Sequence, residues 1–155
     1  MQAPKQVNCT TLADYLEVLT KPVFEGGMSW QIVEAKWPGF QEAFYHFDPE
    51  RIANLSPDEI DGLTSDPRIV RNRKKIESTI HNARAMIDIE REYGTFRAFL
   101  DQLASDGGFP AQVRGLRARF KHIGDFGAYY FLYVIGEPVP DHHEYREKLL
   151  EVARK

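Results

Sequence analysis

The stretch RGLRARFKHIGDFGAYYFLYVIGEPVPDHH, residues 114–143, decides the fold that we predict for this chain. A basic segment ending at Lys121 leads into the turn Ile123–Gly127, and an apolar segment, Ala128 to Ile135, follows. Two glycines three positions apart in the turn tolerate backbone angles that other residues avoid, so the pattern predicts two helices joined by a tight hairpin. Backbone N–H groups at such a hairpin and at the next helix N-terminus can bind phosphate without reading base sequence.

The glycine turn alone is a weak signal, because any helical hairpin can reverse direction with glycine. Nearby positive charge strengthens it. The 155-residue chain has a net charge of −3, yet residues 65–123 hold 12 basic and 7 acidic side chains. Two clusters without an acid, Arg68–Lys75 and Arg114–Lys121, contain most of these basic residues. A local positive field suits a polyanion such as nucleic acid, although such a cluster can also be a solvated helix face.

Side chains that can cap a helix N-terminus recur along the rest of the chain, several of them directly before a proline. Strand signals are nearly absent, so we predict an all-α fold, a helical bundle containing the helix-hairpin-helix. The predicted helix starts are Thr10 or Thr11, Ser29, Asp48, Ser56, Asp66, Thr95, Pro110 and Asp141.

Glycine and proline predict where several helices end. Pro38 should end the second helix near Lys36. The longest helix should run from Asp66-Pro67 to Tyr93-Gly94, and Ser105–Gly108 should form a loop.

Length and composition favour one domain over residues 1–155, or two small helical lobes with a cleft between them. A single cysteine, Cys9, excludes an internal disulfide and a CxxC zinc site and favours a reducing compartment. No apolar run approaches the roughly 20 residues of a membrane span. We therefore expect a cytoplasmic protein with no membrane partner and no evident obligate protein partner.

Several short motifs occur in a characteristic order over roughly residues 23–145: Gly26–Trp30, Phe44, Phe47–Pro49, Ile69–Ile76, Asn82–Ala85, Phe120–Gly124 and Tyr129. This ordered set resembles the 3-methyladenine DNA glycosylase I family of helix-hairpin-helix glycosylases. The resemblance implies base excision repair: binding of double-stranded DNA with a damaged base and hydrolysis of the N-glycosidic bond of an alkylated purine such as 3-methyladenine.

An enzyme that acts on a base must take it out of the stack and hold its flat face, and a cationic alkylated purine favours an electron-rich ring. Trp30 stands at the position of the family's pocket tryptophan, although a core role is the alternative. Phe24 and Glu25 lie just upstream, and Glu25 either accepts a hydrogen bond from an exocyclic amine or lies in solvent. Tyr129 matches a family position. For both Tyr129 and Tyr130, packing on a buried helix is the first interpretation.

DNA-backbone contacts are predicted at the hairpin and on the longest helix. Gly124, Gly127 and Lys121 would meet one phosphate, because turn N–H groups and a cationic side chain come together there. The spacing of Arg71 and Lys75 places them on one face of the predicted helix, with backbone contact as their role.

The chain also departs from the family pattern. It lacks the usual N-terminal cysteine and Tyr-His-Asp segment, and the base-recognising glutamate of the family falls on Pro22. His142 and His143 lie near the family's zinc histidine, but Cys9 alone cannot complete a tetrahedral site, so we expect no metal and no cofactor.

Asp141 is the candidate catalytic residue. The order Val139, Pro140, Asp141 resembles the wider helix-hairpin-helix glycosylases, in which a carboxylate stabilises the sugar cation and helps water attack. A simple N-cap is the alternative. No lysine occupies the lyase position, which implies monofunctional hydrolysis. The competing hypothesis is a non-catalytic DNA-binding or damage-sensing module on the same scaffold.

Overall fold

A computed structural model describes residues 4–141, 143–147 and 151, and it confirms the all-α prediction, with no strand in this part of the chain. A 3-10 turn over Tyr45–Phe47 joins the second and third helices, and a short helix over 143–147 follows the seventh. The helices are α1 (Leu12–Glu25), α2 (Trp30–Ala43), α3 (Pro49–Ala53), α4 (Pro57–Leu63), α5 (Arg73–Tyr93), α6 (Phe96–Arg119) and α7 (Asp125–Val134).

Most predicted caps are confirmed. Thr11 and Ser56 each accept a hydrogen bond from the backbone three residues later and complete a capping box, with Asp14 and Glu59 as the reciprocal acids. Asp48 and Thr95 cap α3 and α6 in the same way. These contacts join residues at most four positions apart, so the local sequence specifies them.

One predicted helix end and one predicted helix start are wrong. Helix α2 continues through Pro38 to Ala43, because the apolar face that includes Phe40 is buried and outweighs the lost backbone hydrogen bond. The longest helix begins at Arg73, capped by Asn72, and not at Asp66. Asp66 instead binds Arg68, which leaves this segment non-helical.

The predicted loop near Gly107 appears as a break inside α6. Gly108 has φ +68 and ψ −151, values that glycine alone adopts readily. The two halves of α6 are otherwise helical, and the second half carries the basic residues that lead to the hairpin. The prediction of two helical segments separated by glycines therefore describes the backbone correctly.

Helix α5 lies at the centre of the fold, against α1, α3 and α6, and its buried positions recur at helical spacing. A stack of aromatic rings fills the space between α1, α2 and the 3-10 turn. Trp37 stacks on Phe40 and Phe47, at 4.9 and 5.4 Å between ring centroids, and Phe24 meets Phe40 edge-on at 4.7 Å. This core supports the C-terminal end of α1 and the N-terminal end of α2, which form the site.

The 3-10 turn contains three consecutive residues in the left-handed region. Tyr45, His46 and Phe47 have φ of 53°, 53° and 59°. Left-handed backbone costs roughly 1–2 kcal/mol for a residue with a side chain. The turn brings Phe44 and Phe47 into the same buried stack, 5.7 Å apart, and that burial offsets the strain.

Helices α1 and α7 pack side by side in opposite directions. Tyr15, near the start of α1, meets Phe131 of α7, whereas Gly127, near the start of α7, lies against Pro22. A Cβ added at Gly127 would stand 3.6 Å from Pro22, an ordinary packing distance. Within the residues described, no helix has the length and apolar character that crossing a membrane requires.

Candidate functional site

A cavity of about 760 Å³ lies between α1, the start of α2, α7 and the segment that precedes α1. Its walls combine two indole rings and one phenol ring with four carboxylates, two lysines and several aliphatic side chains. The lining residues are Pro4, Lys5, Val7, Asp14, Glu17, Val18, Lys21, Pro22, Glu25, Trp30, Glu34, Trp37, Tyr130 and Val134.

Trp30 and Glu25 stand at the same end of this cavity. Trp30 is the first residue of α2 and is 43% exposed, so its indole borders open space and is not sealed in the core. Glu25 ends α1, and its partial burial raises the pKa of its carboxyl group, an effect that nearby Lys21 opposes and Glu34 reinforces. The structure thus brings together the tryptophan and the acid that the sequence singled out.

Polar contacts organise the cavity wall along α1. Glu17 accepts hydrogen bonds from Trp37 Nε1 at 2.9 Å and from Gln41 Nε2 at 2.8 Å. Lys21 pairs with Glu34 at 2.7 Å and also lies over the Trp37 ring at 5.3 Å. With four carboxylates against two lysines, the cavity has an excess of negative charge, which favours a cationic or neutral ring over a phosphate.

The hairpin after α6 is held to α5 by hydrogen bonds. The Lys121 backbone N–H donates to Asn82 Oδ1 at 2.8 Å, and Asn82 Nδ2 donates to the Lys121 carbonyl at 3.1 Å. Ser78 Oγ and His122 Nδ1 are hydrogen-bonded at 2.6 Å. Because Asn82 and Ser78 are buried, these bonds fix the hairpin relative to the fold core.

A second cavity, of about 410 Å³, lies between α5 and this hairpin. Lys74, Glu77 and Ser78 line it from α5, and Lys121 and His122 line it from the hairpin. Two ammonium groups, an imidazole and a hydroxyl can bind an anion, and one carboxylate only partly offsets the positive charge. This cavity can therefore hold a phosphate group.

The turn differs from its predicted form. Asp125 to Gly127 belong to the first turn of α7, and Gly124 is the residue before it, with φ −89. The left-handed residue is His122, with φ 59, and not a glycine. Gly124 is exposed at the helix N-terminus, and Gly127 lies in the first turn of α7, with its α-carbon side against Pro22. Contact of their backbone N–H groups with a phosphate stays a prediction.

Lys75 is not a surface contact. Its side chain is buried, and Nζ donates to the carbonyls of Phe24 at 3.0 Å and Gly26 at 2.5 Å. Burial lowers the pKa of this ammonium group. Arg71 is exposed but precedes α5, so the predicted shared helix face does not exist.

Two predicted base-binding residues lie in the core. Phe24 is fully buried in the aromatic stack. Tyr129 is also buried: its hydroxyl donates to the Pro140 carbonyl at 2.8 Å, and its ring stacks on Tyr145 at 4.5 Å. Neither lines the Trp30 cavity. Consecutive helical residues point about 100° apart, so Phe24 and Tyr129 can face the core while their neighbours Glu25 and Tyr130 face the cavity.

Asp141 is separated from the Trp30 cavity. Its exposed carboxylate accepts hydrogen bonds from the backbone N–H groups of His143 at 3.0 Å and Glu144 at 3.2 Å, which is the geometry of an N-cap. An active site that combines Trp30 with a catalytic Asp141 would need both side chains at one cavity, but Asp141 does not line the cavity that Trp30 lines. His142 lies outside the described residues, and His143 pairs with Glu147 on the last helix.

Among the cavity residues that sequence reasoning missed, Tyr130, Lys74 and His122 have side chains suited to bind a base or a phosphate. Tyr130 was read as a packing residue, although it lies one position from the family-matched Tyr129, on the α7 face that meets the cavity. Lys74 and His122 line the basic cavity. The basic run and the hairpin were the sequence features that could have indicated the basic cavity. They do not reveal side-chain direction, which decides that Lys74 lines the cavity while Lys75 is buried.

Comparisons with known proteins point to one family. The family model described as methyladenine glycosylase matches residues 10–119. Among curated proteins, the chain is similar to the DNA-3-methyladenine glycosylase of Haemophilus influenzae and to DNA-3-methyladenine glycosylase 1 of Escherichia coli, each 33% identical over 76 residues, or 49% of this chain. The aligned part spans 41% of the length of these relatives.

Solved structures are similar over more of the chain. The 3-methyladenine DNA glycosylase I of Staphylococcus aureus is 27% identical and superposes with a TM-score of 0.75, covering 85% of this chain and 80% of the other. A variant of a 3-methyladenine DNA glycosylase I in complex with 3-methyladenine gives 27% identity and a TM-score of 0.74, with 85% and 81% coverage.

Proposed function

The chain belongs to the methyladenine glycosylase family, and from this we propose that it is a monofunctional DNA glycosylase that removes an alkylated purine from double-stranded DNA in base excision repair. The observation that carries the proposal is the cavity in which Trp30, Tyr130 and Glu25 come together. A flipped purine needs flat faces to stack on and an acceptor for its exocyclic amine. The aromatic rings supply the first and the Glu25 carboxylate supplies the second.

The basic cavity supports a DNA-docking role for the hairpin. Lys74, Lys121 and His122 would meet a backbone phosphate, with the exposed Gly124 N–H at the start of α7 nearby. Asp125, which would repel phosphate, is paired with Arg117 at 2.8 Å. These contacts would hold the duplex without reading its sequence, which suits an enzyme that recognises a damaged base and not a site.

The chemistry that we propose is hydrolysis. The bond between the sugar C1′ and the base nitrogen breaks, and its electron pair leaves with the base. Water supplies the oxygen that bonds to C1′ and releases one proton to solvent. An alkylated purine is a cation, so it leaves as a neutral base without prior protonation. Carboxylates at the cavity, Glu25 foremost, would stabilise positive charge that develops on the sugar.

The testing experiment measures base release from methylated duplex DNA by chromatography. We expect the wild type to release 3-methyladenine, and Trp30→Ala and Glu25→Gln to lower kcat/KM by roughly 100-fold and 10-fold, as loss of a stacking face and of one charge-assisted hydrogen bond predict. Ile32→Ala is the matched control, because Ile32 is exposed on α2 but does not line the cavity. No release by the wild type would contradict the proposal.

A non-catalytic DNA-binding or damage-sensing module is the second candidate function. The observation that favours it is the position of Asp141, outside the cavity and engaged as an N-cap. Base release by Asp141→Asn and by the wild type distinguishes the enzyme from the non-catalytic module. If both release base at similar rates, Asp141 has no catalytic role and the enzyme proposal stands on the cavity. If neither releases base and both bind duplex, the module is correct.

A further inference from the structure

The Trp30 cavity is longer than a methylated purine needs. Its lining residues on α1 run along one face of the helix from Asp14 to Glu25. Eleven residues of α-helix at 1.5 Å each span about 16 Å. The volume, about 760 Å³, lies in the range of pockets that hold drug-sized ligands, roughly 300–1,000 Å³. A methylated purine is much smaller than ligands of that class.

The two ends of the cavity differ in chemistry. Trp30, Glu25 and Pro22 stand at the end where α1 finishes. At the other end, Val7 and Val134 form an aliphatic wall, because α7 runs antiparallel to α1 and its last turn lies beside the start of α1. We refer to this second region, lined by Val7, Val18 and Val134, as the distal end.

A backbone hydrogen bond holds the distal wall in place. The Val7 N–H donates to the Val134 carbonyl at 2.7 Å, and Gln6 Nε2 donates to the Tyr133 carbonyl at 3.0 Å. The segment before α1 therefore lies along the last turn of α7. It precedes residue 10, where the family-model match begins, so part of this wall comes from chain outside the matched region.

The charge of the cavity limits what can occupy the distal end. Asp14 and Glu17 line the half of α1 that leads to it, and Lys5 opposes them. A flanking phosphate would meet carboxylates and aliphatic side chains there, which disfavours it. An apolar substituent on the base gains from contact with the three valines. Val18 lies seven residues before Glu25 on α1, about 10 Å along the helix axis. We therefore expect a methyl group on a purine stacked at Trp30 to fall short of the three valines.

We propose that this cavity takes a purine that carries an alkyl or arylalkyl substituent larger than methyl, with the ring at Trp30 and the substituent in the distal end. The inference rests on the proposed function and concerns only which lesions that function serves. Val7 and Val18 are then specificity-determining residues that contact the substituent, whereas Trp30 and Glu25 contact the purine.

Binding of free bases to the full chain tests the inference. The affinities of 3-methyladenine and 3-benzyladenine are measured by quenching of Trp30 and Trp37 fluorescence, since both indoles line the cavity. We expect 3-benzyladenine to bind about tenfold more tightly, because its ring buries additional apolar surface. Equal or weaker binding of 3-benzyladenine would overturn the inference.

A variant that fills the distal end sharpens the test. Val7 is 44% exposed, so Val7→Phe should leave the fold intact while adding a ring to the wall. We expect it to weaken 3-benzyladenine binding about tenfold and to change 3-methyladenine binding by less than about twofold. Ile32→Phe, equally exposed but outside the cavity, is the control and should change neither affinity. An equal effect of Val7→Phe on both bases would overturn the inference.

Release from duplex DNA distinguishes this inference from the proposed function. Duplexes treated with a methylating or a benzylating agent are incubated with the wild type, and the released bases are separated by chromatography. Release of both, with benzylated purine favoured, supports the inference. Release of methylated purine alone overturns it and leaves the proposed function intact. Release of neither, with no binding of either free base, refutes the proposed function and the inference with it.

Discussion

The Trp30 cavity and the cavity beside His122 differ in the sign of their charge. The first has four carboxylates against two lysines, and the second has two lysines and a histidine against one carboxylate. An acidic aromatic cavity favours a cationic ring and disfavours phosphate, whereas a basic cavity favours phosphate. Under the proposed function, the first cavity would hold the base and the second a backbone phosphate. A net charge of −3 conceals this division, because only the local field matters to each ligand.

Lys75 connects the two regions. Its helix carries Lys74 and Ser78 of the basic cavity. Its buried ammonium group binds carbonyls at the end of α1, six and four residues before Trp30. A cation at a helix C-terminus is favourable, because the carbonyl groups there have no partner within the helix. The two cavities can thus be perturbed separately through their linings, or together through this residue.

Removing positive charge from the basic cavity should produce the largest effect. We expect the double variant Lys74→Gln, Lys121→Gln to lose about 10- to 100-fold in duplex affinity at low salt, with a salt dependence weaker by about one unit of slope per lysine. Its affinity for free 3-methyladenine should not change. Fluorescence anisotropy with a labelled duplex over a range of salt concentrations measures duplex affinity. Quenching of tryptophan fluorescence measures the affinity for 3-methyladenine.

Lys36→Gln is the control for that experiment. Lys36 Nζ binds the Pro67 carbonyl at 3.1 Å and lies in neither cavity, so duplex affinity should stay near the wild-type value. An equal loss in the control would mean that duplex binding depends on net charge alone, and the division between the two cavities would have no role in DNA binding.

Lys75→Met should reduce the free energy of unfolding by about 2 kcal/mol, because it leaves the buried carbonyl of Phe24 and that of Gly26 without this donor. Urea denaturation followed by circular dichroism measures this change. Lys36→Met removes a single bond at an exposed site and should cost less than about 0.5 kcal/mol. Similar losses in the two variants would show that burial does not increase the contribution of Lys75 to the free energy of unfolding.

Glu25→Gln should stabilise the fold at neutral pH while it weakens base release. Burial raises the pKa of Glu25 in the folded protein, so the ionised carboxylate destabilises the fold at pH values above that pKa. This cost disappears as the pH falls below the ordinary value of 4.5. We expect the variant to have a higher Tm than the wild type at neutral pH.

At acidic pH, below the ordinary pKa of a glutamate, the two proteins should have the same Tm, because the wild-type carboxyl is then neutral in both the folded and the unfolded chain. Differential scanning calorimetry across the pH range measures both values. A Tm for Glu25→Gln that is lower than the wild type at neutral pH would contradict a destabilising carboxylate in the acidic cavity.

His46→Gly should have the smallest effect and should leave both cavities unchanged. His46 is exposed, with φ 53 and ψ 33, and glycine adopts these angles without steric cost. We expect the free energy of unfolding to rise by up to about 1 kcal/mol. Ala35→Gly, at an exposed position inside α2, is the matched control and should lower it by about 1 kcal/mol. Destabilisation in both would show that the turn is not strained.

The sequence predicted the fold well where short-range contacts decide the structure. The caps at Thr11, Asp48 and Ser56 depend on residues a few positions away, and all three form as expected. Pro38 was misread because its local preference to end a helix is outweighed by burial of the surrounding apolar face, which depends on distant residues. The prediction of a helix start at Asp66 was wrong because of a local contact: its carboxylate binds Arg68 and does not cap a helix.

The site was predictable only in part. Trp30 and Glu25 lie close in sequence at the junction of α1 and α2, so their meeting in one cavity follows from local structure and the family resemblance. Phe24 and Tyr129 were candidates for base binding but are buried, as the packing alternative for Tyr129 had it. A pattern of apolar residues does not reveal which of them border a cavity. Asp141 caps a helix, and whether it also reached the cavity depended on the path of the chain after α7.

By itself, the sequence determined the helical fold, most of the caps and the basic segment that ends in the hairpin, because each depends on residues near one another in the chain. Only the tertiary structure decided that Lys75 is buried while Lys74 is exposed, that Tyr130 lines the acidic cavity, and that Asp141 does not. The physical reason is that burial and the direction of a side chain are set by packing against elements many residues away, which no short stretch of sequence specifies.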